Sequence, residues 1–197
     1  MNELTIIQRG GFYGLYNNRH EEEVVECQYN QIRETGFGYY IVIKGNNAGI
    51  LDNEGEFVYP LSQSRINIIH ENLFRIKQED SNRYIFFDRF VTTNINVDKI
   101  TFIEDRNIFV VRKNGKYALM NLRFHIISDL YDEIQKLLTL DCFAYKINEQ
   151  WGLLKIRKNK SIVISEAKYA DYKTLKQNHH VIYLQYKESQ KSLNPTY

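Results

Sequence analysis

Asn114-Gly115-Lys116-Tyr117-Ala118-Leu119-Met120, followed by Tyr131-Asp132-Glu133-Ile134, is the stretch on which the fold turns. An Asn-Gly dipeptide accepts the positive φ that a primed hairpin turn demands, so residues 108–111 before it and 117–120 after it read as paired strands. The pair Tyr117-Ala118 has counterparts at Tyr13-Gly14, Ala48-Gly49, Tyr84-Ile85 and Trp151-Gly152, at spacings of 35, 36, 33 and 34 residues. A fixed period of this length is the mark of a repeat architecture.

Working outward, the segment Tyr131-Asp132-Glu133-Ile134 has its own counterparts in Tyr29-Asn30-Gln31-Ile32, Arg65-Ile66-Asn67-Ile68, Val97-Asp98-Lys99-Ile100 and Tyr169-Ala170-Asp171-Tyr172. A short apolar strand precedes each pair, at 4–7, 40–43, 73–76, 108–111 and 143–147, and a sixth copy is expected at 181–184. Arg9-Gly10-Gly11, Gly45-Asn46-Asn47 and Asn114-Gly115 predict tight hairpins at three junctions. Glu79-Asp80-Ser81-Asn82 and Asn148-Glu149-Gln150 lack glycine and predict longer loops at the other two. A further strand is expected in mid-unit, at 23–26, 56–59, 90–93, 124–127 and 161–164. Residues 132–138 have the propensity for a turn or two of helix, but their counterparts do not.

Composition agrees. Fifteen Tyr, eleven Phe and only two Pro in 197 residues favour strands. The expected fold class is all-β, with five degenerate repeats of about 35 residues and about three short strands each, arranged as a propeller or a curved solenoid. The strands at 4–7 and 181–184 both match the last part of a unit, which favours a closed or strongly curved arrangement. One domain is expected over 1–186, with a C-terminal tail at 187–197 that has little to bury and frays.

These residues resemble the bacterial WG-repeat family, whose units run Lys-Trp-Gly, an apolar pair and Asp, a turn, an apolar patch, Tyr-Asp-x-Ile and an apolar strand ending in Asn-Gly-Lys. Residues 114–120 with 131–134 are the fullest copy, and Trp151-Gly152-Leu153-Leu154 keeps the literal dipeptide. Ala48-Gly49-Ile50-Leu51-Asp52-Asn53-Glu54-Gly55 keeps the strand and its turn. The resemblance covers about 4–186, and only one Trp survives. It implies an accessory or inhibitory protein of a bacterial defence or toxin-immunity system.

The recurring residues have physical uses without the family. A large ring fills space between units, and a small neighbour allows close backbone approach. Asp132, Asn30 and Asp98 are expected to hold turns or cap amides. No catalytic residues are assigned: His125, Asp132 and His179 form no recognisable constellation, and no GxGxxG, GxxxxGK or HExxH is present. Cys27 and Cys142 lack metal-ligand spacing and read as buried or half-buried thiols, and no metal or cofactor is expected.

With 26 Lys plus Arg against 24 Asp plus Glu, the net charge of +2 disfavours a phosphate-tracking protein. Two charge runs stand out as partner-binding candidates: His20, Glu21, Glu22 and Glu23 at a strand edge, and the anion-facing Arg157, Lys158 and Lys160. The N-terminus lacks the pattern of an export signal and no apolar run approaches a membrane span, so a cytoplasmic protein is expected. The expected function is a non-enzymatic protein-interaction scaffold with another protein as partner. The alternatives are a nucleic-acid or nucleotide binder using residues 155–160, and a hydrolase with a central pocket.

Overall fold

The computed structural model describes residues 4–88, 92–137, 142–158 and 160–193, with side chains to Ser189. Two units divide the chain, Met1–Asn96 and Val97–Tyr197. In the first, β1 (Leu4–Arg9), β2 (Phe12–Asn17) and β3 (Glu22–Tyr29) form an antiparallel sheet. A second sheet holds β4 (Gln31–Glu34), β5 (Tyr40–Lys44), β6 (Asn47–Leu51) and β7 (Phe57–Ser62). A third holds β8 (Arg65–His70), β9 (Leu73–Gln78), β10 (Ser81–Phe87) and β11 (Thr92–Ile95).

The second unit has a sheet of β12 (Lys99–Ile103), β13 (Ile108–Lys113) and β14 (Lys116–Met120). Beside it are β15 (Glu133–Lys136), β16 (Cys142–Ile147), β17 (Gln150–Arg157) and β18 (Lys160–Tyr169), and then the helix α1 (Tyr172–Leu193). Among the described residues, the fold is thus five antiparallel meanders of three or four strands, an all-β repeat body, followed by one α-helix.

The central strands of the second and fifth sheets are apolar on both faces because each of these two sheets is covered twice. Along β5, Tyr40 and Val42 pack with Leu15, Val25 and Tyr29 of the first sheet. Ile41, pointing the other way, packs with Phe74, Ile76 and Phe87 of the third. In the second unit Phe143 and Tyr145 of β16 meet Ile108 and Leu119 of the neighbouring sheet. The alternate residues Cys142 and Ala144 pack with Leu175, Ile182 and Tyr183 of α1. The helix therefore covers the face of the fifth sheet that no strand covers among the described residues of its unit.

Several expectations change. The Tyr-Asp-x-Ile segments supply strands of their own, β4, β8, β12 and β15, which raises three of the five sheets to four strands. Residues 133–136 pair with β16 and are not helical, because Ile134 gains a buried place there that a lone helical turn cannot offer. The third and fifth junctions are two-residue hairpins: Gln78 pairs with Ser81 and Ile147 with Gln150. Glu79, Asn148 and Glu149 take φ of 47°, 49° and 62° there without glycine. At 124–127 only an isolated bridge, Met120 to Ile126, forms. Of the strand expected at 90–93, residues 90 and 91 lie outside the described residues.

The largest difference is at 181–184, where the expected strand is the middle of α1. The argument for closure from that strand falls with it. Leu175, Ile182 and Tyr183 are buried at helical spacing against Trp151 and Leu153, and this burial decides the local conformation. Residues 187–193 of the expected tail are helical, and 194–197 lie outside the described residues.

Candidate functional site

What recurs in every unit is occupied by the fold. Asn30 Oδ1 accepts from the Gly45 amide at 2.6 Å, and Asp132 Oδ2 accepts from the Asn148 amide at 3.0 Å, each locking the following hairpin. Lys116 also donates to Asp132, and chiefly this bond holds the carboxyl below its usual range. Asn17, Asp52 and Asn121 each accept from two amides of the turn that follows their strand. Tyr131 is buried 4.4 Å, centroid to centroid, from Tyr145, and burial pushes its phenol up to about 12.

The small residue of the pair has a local cause. Opposite Gly14, Gly49 and Gly152 the pairing of β2–β3, β6–β7 and β17–β18 shifts register, a bulge that brings the partner backbone close. A Cβ on Gly14 would lie 2.4 Å from the Val25 oxygen. Between β10 and β11 the register is regular, and Ile85 occupies the same place. The repeat is degenerate where the bulge is absent.

The two charge runs fare differently. Glu23 is engaged inside its sheet, accepting from Arg9 at 2.6 Å and from the Cys27 amide at 3.0 Å. His20, Glu21 and Glu22 are exposed where β2 turns into β3. Arg157, Lys158 and Lys160 lie where β17 turns into β18, and all three are exposed. Strand alternation makes this end basic. Trp151 and Leu153 are buried under α1, and the next two residues of the same face are Lys155 and Arg157. Their cross-strand partners are Ile162 and Lys160, so Arg157 and Lys160 stand directly opposite as like charges, a destabilising pairing.

Beside this end lies a groove of about 410 Å³ lined by Lys155, Arg157, Ile162, Ile164, Tyr183, Tyr186 and Lys187. Lys155 Nζ donates to Tyr183 Oη at 2.6 Å and stands 4.8 Å from its ring centroid. Lys187 Nζ stands 5.0 Å from the same centroid. Around the turn, Lys158 and Lys160 line a second recess with Arg123, His125, Ile126, Ile127 and one carboxylate, Asp129. Among the described residues, none of Lys155, Arg157, Lys158, Lys160 and Lys187 forms a salt bridge. Residues 155–193 hold nine Lys or Arg against three Asp or Glu, a local +6 inside a chain of net +2.

Sequence reasoning found the basic stretch that begins at Lys155 and holds Arg157, Lys158 and Lys160, but missed Lys187. The signal for it was the helical spacing of Leu175, Ile182 and Tyr183, which sets Lys187 one turn beyond Tyr183. The residues weighed for hydrolysis have other settings: Asp132 holds a turn, His125 lines the second recess, and His179 is on α1, its ring 5.7 Å from that of His180. Among the described residues, no group of three or more His, Cys, Asp and Glu is placed to hold a metal ion. Cys27 is half-buried and Cys142 buried, and burial pushes the Cys142 thiol up to about 11, away from reactive thiolate. No described helix is long and apolar enough to cross a membrane.

No family model and no curated protein matches the chain. Among solved structures it is similar to Kluyveromyces lactis Hsv2, at 10% identity and a TM-score of 0.36 over 83% of this chain and 59% of that one. It is similar to the N-terminal domain of Nup159, at 10% identity and a TM-score of 0.33 over 83% and 59%. The β-propeller domain of Cps50 (Swd1) from Myceliophteria thermophila gives 7% identity and a TM-score of 0.30 over 80% and 64%. The chain spans about three fifths of the length of these structures. Likenesses this slight carry no argument, and the repeat architecture rests on the chain's own strand pairing.

Proposed function

We propose that the chain is a non-enzymatic protein-interaction scaffold of the WG-repeat kind, whose repeat region, 1–186, works as one module. The observation that supports this is the uncompensated basic end of the β17–β18 hairpin. The residues common to the repeats serve turns and packing, whereas this end belongs to one copy alone and, among the described residues, forms no salt bridge to a carboxylate. The exposed rim of His20, Glu21 and Glu22 is a second candidate surface. The resemblance to WG-repeat proteins supports a finer proposal: a cytoplasmic accessory or inhibitory protein of a bacterial defence or toxin-immunity system.

The test is affinity capture by the full chain from native lysate, with the stoichiometry of the captured protein measured. A near-stoichiometric partner is expected, and its absence refutes the scaffold reading. A second reading, a nucleic-acid or nucleotide binder, draws on the same five cations. It requires retention of mixed oligonucleotides at low salt, where the electrostatic contribution is greatest.

A further inference from the structure

We propose that the basic end of the β17–β18 hairpin is the docking surface for an extended acidic segment of a partner protein, one whose carboxylates alternate with apolar side chains. The inference rests on the scaffold reading and deepens it. Charge complementarity comes first. Lys155, Arg157 and Lys187 surround one groove and Lys158, Lys160 and Arg123 another, against one carboxylate among the described lining residues, Asp129. Salt bridges that would neutralise the hairpin cations internally are absent among the described residues.

The shape of the charge argues for a chain and not a small anion. Arg157 borders one groove and Lys158, the next residue, borders the other, so a ligand that crosses the turn engages both. Each groove also pairs its cations with isoleucines, Ile162 and Ile164 in the first, Ile126 and Ile127 in the second, and Ile126 is 48% exposed. In the first groove Lys155 and Arg157 stand on β17 and the isoleucines on β18, which matches an extended peptide whose successive side chains point to opposite sides.

A nucleic acid fits less well. Single strands bind by stacking bases on open aromatic faces beside the cations. Here Tyr183 is 8% exposed and flanked by two lysine ammonium groups, while Trp151 is 6% exposed with its ring 5.2 Å from that of Tyr172. Both rings are already occupied, which leaves the half-buried Tyr186 as the one further ring among the described lining residues of the groove.

The experiment is fluorescence anisotropy on the full chain with a labelled peptide of about a dozen residues alternating Glu and Leu. A Ser-Leu peptide and an oligothymidylate of similar length serve as comparisons. Binding of the acidic peptide is expected, and it should weaken roughly tenfold or more between about 50 and 300 mM salt. The double variants Arg157→Glu with Lys187→Glu, and Arg123→Glu with Lys160→Glu, should each weaken it about tenfold, while Lys113→Glu should not. Urea midpoints read from Trp151 fluorescence establish that each variant is folded.

Unchanged affinity in both folded double variants overturns the inference, and so does tighter binding of the oligothymidylate than of the acidic peptide. A stoichiometric native partner that stays equally on wild type and both variants also overturns it, and leaves the scaffold reading standing. Absence of any stoichiometric partner ends both.

Discussion

Replacing Gly152 by Ala tests whether the bulge dictates the small residue of the repeat. The new Cβ would stand 2.5 Å and 2.6 Å from two atoms of the Tyr145 ring and 2.7 Å from the Ser165 oxygen. The ring has little room to withdraw, since it is 5% exposed, packed 4.4 Å from the Tyr131 ring, and hydrogen-bonded through its hydroxyl to Ser165 O at 3.3 Å. Displacing groups in a packed core costs about 1–3 kcal/mol, and contact on two sides places this case at the upper end. Alanine returns about 0.5–1 kcal/mol of backbone entropy relative to glycine. The net loss is therefore about 2 kcal/mol, or roughly 8–16 °C in the melting temperature of a unit this size. Urea unfolding followed by Trp151 fluorescence reads it directly, because the only Trp lies beside the substitution and under α1. A loss below about 0.5 kcal/mol would refute the steric account. Ala118, the counterpart in the fourth unit, also faces a shifted pairing, Tyr117 with Tyr131 but Met120 with Ile126, and already carries a Cβ there, so Ala118→Gly should cost only about 0.5–1 kcal/mol.

Three further outcomes follow from turns and caps. Glu79→Asn should stabilise the first unit by about 0.5–1 kcal/mol by relieving a left-handed glutamate, as read by calorimetry; a loss would mean that the side chain has a use its turn does not reveal. Asp171→Ala removes the cap in which the carboxylate accepts from the Thr174 amide and hydroxyl, both at 2.8 Å. Far-UV dichroism should lose helical signal, and the Trp151 transition should move to lower urea. The third concerns pH. Hydrogen bonds from Lys136, Lys116 and Thr174 hold the carboxyls of Asp105, Asp132 and Asp171 below their unfolded value. Their contribution is therefore complete above about pH 4 and lost as the pH falls through the lowered values. Urea midpoints should fall in that acid window, with a shallower slope in Asp132→Asn.

The parts of the fold legible in the sequence were those with a local chemical cause. Asn114-Gly115 announces its hairpin because only residues tolerant of positive φ sit there easily, and the 35-residue period exposes residues that every unit needs. The Glu79 and Asn148-Glu149 hairpins were illegible because the strands around them, not the turn residues, fix the register. The helix was misread for a related reason. Val181-Ile182-Tyr183-Leu184 taken alone is a good strand, and only the spacing back to Leu175 and Tyr172 shows a face that meets Trp151. Of the site, Arg157, Lys158 and Lys160 were visible as a charge run. Lys187 was not, because it joins them only once α1 lies on the fifth sheet.

Whether that basic end is merely a soluble strand edge can be argued from how its charges are set. Edge protection asks for a few charged side chains, and solubility is well served by mixed signs. The hairpin has neither economy. Its strands, of eight and ten residues, carry Lys155 and Arg157 onward from the residues buried under α1, then place Arg157 directly across from Lys160. The helix adds Lys187 to the same groove, where a glutamate would have neutralised it. Like charges set opposite one another oppose folding, and the opposition is relieved when an anion lies between them. Fold stability alone does not ask for this arrangement, and an acidic partner gives it a use.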